Sequence, residues 1–125
     1  MNVFVDTSVL IDVLRGSAEA AQILTDFRAR GLLHSSVVVK AEILAGMRAS
    51  EDASTRRLLS AIEWHGVDEK IAEEAGRLGR QWLPSHHSID TADLLIAATA
   101  IVLKCPLLTL NIKHFPMFPG IRAPY

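Results

Sequence analysis

Residues 3–6 read Val-Phe-Val-Asp, and Thr7 and Ser8 follow before apolar residues recur at Val9, Leu10, Val13 and Leu14. Three consecutive β-formers with no polar alternation describe a strand covered on both faces, which is how an interior strand of a parallel sheet reads. The spacing behind it is helical, and Gly16 stands where a C-cap ends a helix. A buried strand running directly into a helix commits the chain to an α/β layer architecture. It also puts Asp6 at the carboxyl end of a strand, where ligands of open α/β sheets bind. The other use of Asp6 is as a plain N-cap of the helix, and the local sequence leaves both open.

The alternation continues along the chain. Residues 18–30 carry Ile23, Leu24 and Phe27 on one face and predict an amphipathic helix closed by Gly31. Residues 32–39, Leu-Leu-His-Ser-Ser-Val-Val-Val, predict a second strand, and residues 40–47 a helix with Glu42 in its first turn. A helix is expected over 51–62, a short strand or loop over 63–67, and a longer helix over 68–83, where Ile71, Ala75, Leu78 and Trp82 share a face and Pro84 ends it. Residues 89–104 open with Asp90, carry Asp93 three positions later and then turn apolar on nearly every side, as a central helix does. Leu107–Leu110 predict another buried strand ending at Asn111, before a closing loop rich in Pro and Phe. No linker, repeat or low-complexity stretch interrupts this pattern. The expected fold is a single domain over residues 1–125, a central parallel sheet flanked by helices with right-handed crossovers.

With 13 Lys and Arg against 14 Asp and Glu, the formal net charge is -1. No whole-chain basic signature points to nucleic acid, so such a partner has to be met by a local patch. The single cysteine, Cys105, lies in an apolar segment and forms no internal disulfide, which suits a reducing cytoplasm. The longest apolar run, residues 94–103, is far short of the roughly 20 residues that a membrane span needs; no membrane association is expected.

Under this topology Asp6, Glu42, Asp93 and Asn111 converge on one edge of the sheet. Carboxylates crowded together repel one another unless a cation lies between them. A hard divalent ion is the natural occupant: Mg2+ takes oxygen ligands, keeps several waters and is held by one or two carboxylates plus substrate phosphates, and Mn2+ accepts the same set. Phosphodiester hydrolysis is the chemistry that uses this arrangement. Asp90 and Asp93 have the spacing of a capping box; we assign Asp90 to the cap and Asp93 to the site. Glu42 has Ile43, Leu44 and the preceding valines around it, so an apolar environment is expected. His86 and His87 are adjacent on a polar loop, a poor spacing for chelation, and His114 reads as a loop residue. Arginines 28, 30, 48, 56, 57, 77 and 80 read as solvated helix faces, from which a phosphate-binding rim can be drawn.

Four stretches, Val-Asp-Thr-Ser-Val-Leu-Ile-Asp-Val-Leu from Val5, Val-Val-Val-Lys-Ala-Glu-Ile-Leu-Ala-Gly-Met from Val37, Asp-Leu-Leu-Ile-Ala-Ala-Thr-Ala from Asp93 and Thr-Leu-Asn-Ile-Lys-His-Phe from Thr109, occur in an order that resembles the PIN-domain family and, within it, the VapC-type toxins of type II toxin–antitoxin pairs. The resemblance implies a Mg2+- or Mn2+-dependent endoribonuclease that cuts structured cellular RNA such as tRNA or rRNA, leaves a 5′-phosphate and a 3′-hydroxyl, and is silenced by a cognate VapB-type antitoxin. It implies that Asp6, Glu42 and Asp93 hold metal, that Thr7 or Ser8 orients Asp6, and that Asn111 stands where many members have a fourth acid. An amide there supplies no charge and puts a tightly held second ion in question. His114 stands where relatives often carry aspartate. Val39 stands where relatives often have a Thr or Ser cap, a change expected to weaken the following helix by about 1 kcal/mol. A homodimer is expected as well, with the exposed closing loop of Phe115, Met117 and Phe118 offering an apolar surface to a second copy or to an antitoxin helix.

Two other phosphoryl-transfer folds fit less well. A haloacid-dehalogenase-type enzyme wants a second acid two residues after the first, where Ser8 stands. A receiver domain wants a phosphoacceptor aspartate directly after a middle strand, and none follows Ser-Ser-Val-Val-Val. The non-enzymatic alternative is a PIN-fold binding module that has lost activity, which Asn111 favours and the three acids oppose.

Overall fold

The computed structural model describes residues 1–125. Strands β1 (Val3–Val5), β2 (Leu33–Ser36), β3 (Glu63–His65) and β4 (Leu107–Leu108) form one sheet in the order β3-β2-β1-β4. Every pairing is parallel, with Val3 opposite Leu33, Phe4 opposite both His34 and Leu107, and Ser36 opposite His65. All four carboxyl ends therefore face one edge. Helices α1 (Thr7–Leu14) and α2 (Ala18–Arg30) connect β1 to β2, α3 (Val37–Ala45) and α4 (Asp52–Leu59) connect β2 to β3, and α5 (Glu69–Trp82) and α6 (Thr91–Leu103) connect β3 to β4. The chain steps outward from β1 to β3 and then returns to the other side of β1, so the strand order reverses between β1 and β4. Such a switch point opens a crevice at the carboxyl ends of the two strands.

Val3, Phe4 and Val5 are all fully buried, as a strand covered on both faces requires. The core continues through Val9, Leu10, Val39, Ile43, Leu78 and Phe115 to the run Ile96–Ala100 of α6, the expected central helix. Helix α5 packs closely along it at Gly79, where an added Cβ would stand 3.2 Å from the Leu94 side chain. Cys105 is a buried core residue. No helix is long and apolar enough to cross a membrane.

The structure corrects four local readings. The second strand ends at Ser36 and the three valines are the first turn of α3, because the Ser36 hydroxyl caps that helix by accepting from Val38 N at 3.1 Å. The weakness expected from Val39 is therefore absent: the cap sits three residues earlier, and Val39 is a buried core residue. Glu42 accordingly lies in the second turn of α3 and is exposed, with Val39 and Ile43 turned to the core beside it. Finally, the closing loop is not an exposed apolar surface: Phe115 is completely buried, and Met117 and Phe118 are partly buried against the core.

Candidate active site

Asp6 is the residue around which the crevice is built. It is only 3 % exposed, follows β1 directly and occupies the N-cap position of α1, yet its side chain makes no capping hydrogen bond. Its carboxylate is held from elsewhere: the Thr109 hydroxyl donates to Oδ2 at 2.7 Å and the Ser8 hydroxyl donates to the same oxygen at 3.3 Å. Those hydroxyls are fixed in turn, since Ser8 Oγ accepts from Leu110 N at 3.0 Å and Thr109 Oγ1 accepts from Asn111 N at 3.0 Å. The network thus joins the end of β1 to the segment leaving β4. Both hydrogen bonds fall on Oδ2, and no buried side-chain nitrogen or oxygen lacks a partner, so Oδ1 opens onto the crevice. A plain helix cap would spend its oxygens on backbone N–H groups; Asp6 does not.

The crevice has a volume of ≈ 330 Å³, and its lining includes Asp6, Thr7, Ser8, Glu42, Asp93 and Asn111. Of the residues expected in the site, only Asp90 stands outside that lining. The two expected hydroxyls divide their work: Ser8 orients Asp6, while the Thr7 hydroxyl donates to Glu42 Oε1 at 2.9 Å. Asp90 and Asp93 form the expected capping box at the start of α6. Asp93 N donates to Asp90 Oδ1 at 2.8 Å, and Asp90 N donates to Asp93 Oδ2 at 3.1 Å. That bond, together with His114 Nδ1 at 3.1 Å, engages Oδ2 of Asp93 and leaves Oδ1 free for the crevice. Burial pushes the Asp93 carboxyl up to about 6, opposed by the Asp90 backbone N–H and reinforced by the neighbouring Asp90 charge.

Sequence reasoning passed over several contributors. Thr109, completely buried, was hidden in a run read as strand interior. His114 belongs to a 3₁₀ turn that carries it onto Asp93. Asp12 and Arg15 also line the crevice, and with Ser8 and Ile11 they form one stripe of α1 at positions 8, 11, 12 and 15. The Tyr125 hydroxyl donates to Asp12 Oδ2 at 2.7 Å, bringing the last segment of the chain to the same helix. His86 lies apart, beside Trp82 and Ser85.

The donors facing the crevice are carboxylate and amide oxygens, without thiolate or imidazole among its lining residues. That set fits Mg2+ or Mn2+ rather than softer ions. No three His, Cys, Asp or Glu side chains close on a single point, so the fit is to an ion held by one or two carboxylates that keeps most of its water, the habit of Mg2+.

The PIN-domain family profile matches residues 3–116. The chain is 46% identical over 122 residues to Ribonuclease VapC19 of Mycobacterium tuberculosis, covering 97% of this chain and 98% of the relative. It is 42% identical over 123 residues to Ribonuclease VapC10 of the same organism, covering 98% and 92%. Among solved structures it superposes on a toxin–antitoxin complex from Klebsiella pneumoniae with a TM-score of 0.81 at 28% identity, covering 98% of each chain. With the strand order, the crevice and these matches in agreement, the chain belongs to the PIN-domain family, in its VapC branch.

Proposed function

We propose that this protein is a Mg2+- or Mn2+-dependent endoribonuclease toxin that hydrolyses phosphodiester bonds in structured cellular RNA, tRNA or rRNA, and is neutralised by a cognate VapB-type antitoxin. The observation that carries the reading is the crevice itself. Asp6, Glu42 and Asp93 line one crevice at the switch point of a parallel sheet, and each has one carboxylate oxygen fixed by a hydrogen bond and the other unengaged. The ribonuclease relatives and the toxin–antitoxin neighbour support the substrate class and the partner.

Asp6 and Asp93 are the residues that would hold the cation, and Glu42 and Asn111 would contact its water. A divalent ion bound there supplies Lewis acidity, lowering the pKa of water and neutralising charge on the phosphoryl oxygens. The residues contribute preorganisation. Thr109 and Ser8 lock Asp6 so that it reaches the crevice through a defined oxygen, and Thr7 does the same for Glu42. Glu42, exposed and fixed through Oε1, is placed to accept a proton from the attacking water on Oε2. The expected products carry a 5′-phosphate and a 3′-hydroxyl. Three carboxylates confronting a polyanion also explain how a partner silences the protein: a basic side chain placed in the crevice satisfies the same charges as a metal ion.

Purified protein free of antitoxin tests this on total cellular RNA with Mg2+ or Mn2+, with EDTA, and as Asp93→Asn, which keeps the shape of the capping box. Discrete fragments that need the metal and vanish in both controls are expected. Intact RNA with every metal, from protein that is folded by circular dichroism, would favour the inactive binding module instead.

A further inference from the structure

The crevice does not end at Glu42. A second cleft of ≈ 350 Å³ continues from it, sharing Ile11, Arg15 and Glu42 and running between α1, α3 and the segment before α4. Arg15, at the C-cap of α1, lines both clefts, and Arg48 lines the second. These are the only basic residues in either lining. The ion pairs of the structure are Arg56–Asp52, Arg77–Glu74 and His114–Asp93, so Arg15 and Arg48 belong to none of them, although Asp12, Glu42 and Glu51 line the same clefts. Glu51 is engaged instead by Arg48 N, which donates to its Oε1 at 2.9 Å. The apolar side chains of Leu14, Ile43 and Met47 line the same cleft beside its polar and charged groups.

We propose that this second cleft is a nucleotide subsite for the RNA strand, in which Arg15 and Arg48 bind the phosphates flanking the one to be cut and Leu14, Ile43 and Met47 receive a base. The inference rests on the nuclease reading and names where that substrate lies. A polyanion approaching the crevice, where Asp12 adds a fourth carboxylate to Asp6, Glu42 and Asp93, is repelled unless fixed cations stand beside its path. The α1 stripe supplies that change of sign: Ser8 stands at the carboxylate end and Arg15, seven residues on and about 10 Å along the axis, at the other. An unpaired guanidinium is a fork suited to a phosphate. Apolar side chains that include a flexible methionine accept an unstacked base without demanding its identity. The size of the cleft, its two free cations and its continuity with the crevice favour a single strand rather than a duplex, whose backbone would not enter it.

The test uses the Asp93→Asn protein in Mg2+ with a fluorescently labelled, mixed-sequence single-stranded RNA 12-mer, measured by anisotropy from 50 to 200 mM salt. Each single-strand phosphate contact contributes about 0.7 to the slope of log affinity against log salt. Arg15→Ala and Arg48→Ala are each expected to flatten the slope by about 0.7 and weaken binding roughly five-fold near 0.1 M salt. Lysine at either position is expected to restore the slope but not the full affinity. Arg57→Ala, on the exposed face of α4, is expected to change nothing. Unchanged slopes in both alanine variants, or an equal effect of Arg57→Ala, overturn the subsite. So does a loss of binding to an antitoxin peptide with RNA binding intact, which gives the cleft to the protein partner. Wild-type cleavage with Mn2+ separates the two readings: cutting that is indifferent to Arg15 and Arg48 leaves the nuclease and removes the subsite. Slope changes without any metal-dependent cutting leave an RNA-binding cleft and remove the nuclease.

Discussion

Replacing Thr109 by valine removes one hydroxyl and nearly nothing else, and the structure says what that hydroxyl does. It donates to Asp6 Oδ2 at 2.7 Å inside a fully buried side chain, and it accepts from Asn111 N. A hydrogen bond to a charged acceptor contributes about 1.5–3 kcal/mol. Ser8 remains as a donor to the same oxygen, but at 3.3 Å, too long to substitute fully. Asn111 is exposed, so its released N–H finds water and adds little. The expected loss is therefore about 2 kcal/mol, near the middle of that range. At roughly 3–4 °C per kcal/mol for a chain of this length, Tm falls by about 7 °C. Thr109→Ser separates the hydroxyl from the methyl: it keeps the donor, gives up one buried methyl and should cost only about 1 kcal/mol. Because Asp6 loses its main anchor only in the valine variant, Mn2+ binding measured by calorimetry should weaken at least about ten-fold there and stay near wild type in the serine variant. Urea unfolding with an unchanged m-value gives the stability arm. A valine variant as stable as the serine variant, with unaltered Mn2+ affinity, would refute the claim that Thr109 positions Asp6.

Four further outcomes follow from the same geometry. Asp93, pushed up to about 6 from its ordinary 3.8, must lose its proton before it can ligate an ion; Mn2+ affinity should be flat above that pH and fall as pH drops through it. In the metal-free protein the sign for stability is opposite to that of a salt-bridged carboxylate. The folded state binds the extra proton between the two values, so stability from this group is full below about pH 4, declines as pH rises and is lost by pH 6–7; urea midpoints across that range check it. Asn111→Asp adds a charge to the crevice lining and should tighten Mn2+ binding, whereas an unchanged affinity would place residue 111 outside the ion's reach. Ser36→Ala removes the cap of α3 and should cost about 1 kcal/mol in chemical denaturation.

The features that were legible in the sequence are those fixed by local chemistry. Val3–Val5 was legible because its three apolar β-formers run straight into Asp6 and a helical repeat, which favours a covered strand, and the Asp90–Asp93 box was legible from its spacing, which lets each acid bond the other's backbone. The misplaced boundary between β2 and α3 shows the limit of propensity. Three valines favour a strand, but Ser36 offers a cap, and burying Val39 and Ile43 on one helical face outweighs the preference. Thr109 was missed because a threonine in an apolar run is compatible with any strand. Its meaning depends on Asp6, 103 residues away. A buried hydroxyl does need a partner, and its place at the same sheet edge as Asp6 was the available signal. The α1 stripe of Ser8, Ile11, Asp12 and Arg15 was likewise present as spacing, complementary to the buried Val9 and Leu10 and the partly buried Val13. Attention to the apolar face concealed it.

Crystals of the protein grown with Mn2+, measured at a wavelength where manganese scatters anomalously, address the central claim most directly. The account predicts an anomalous peak in the crevice against Asp6 and Asp93, lost in crystals of Asp6→Asn. An empty crevice at saturating Mn2+, in protein that still cuts RNA, would contradict it and require the reaction to be assigned to another site.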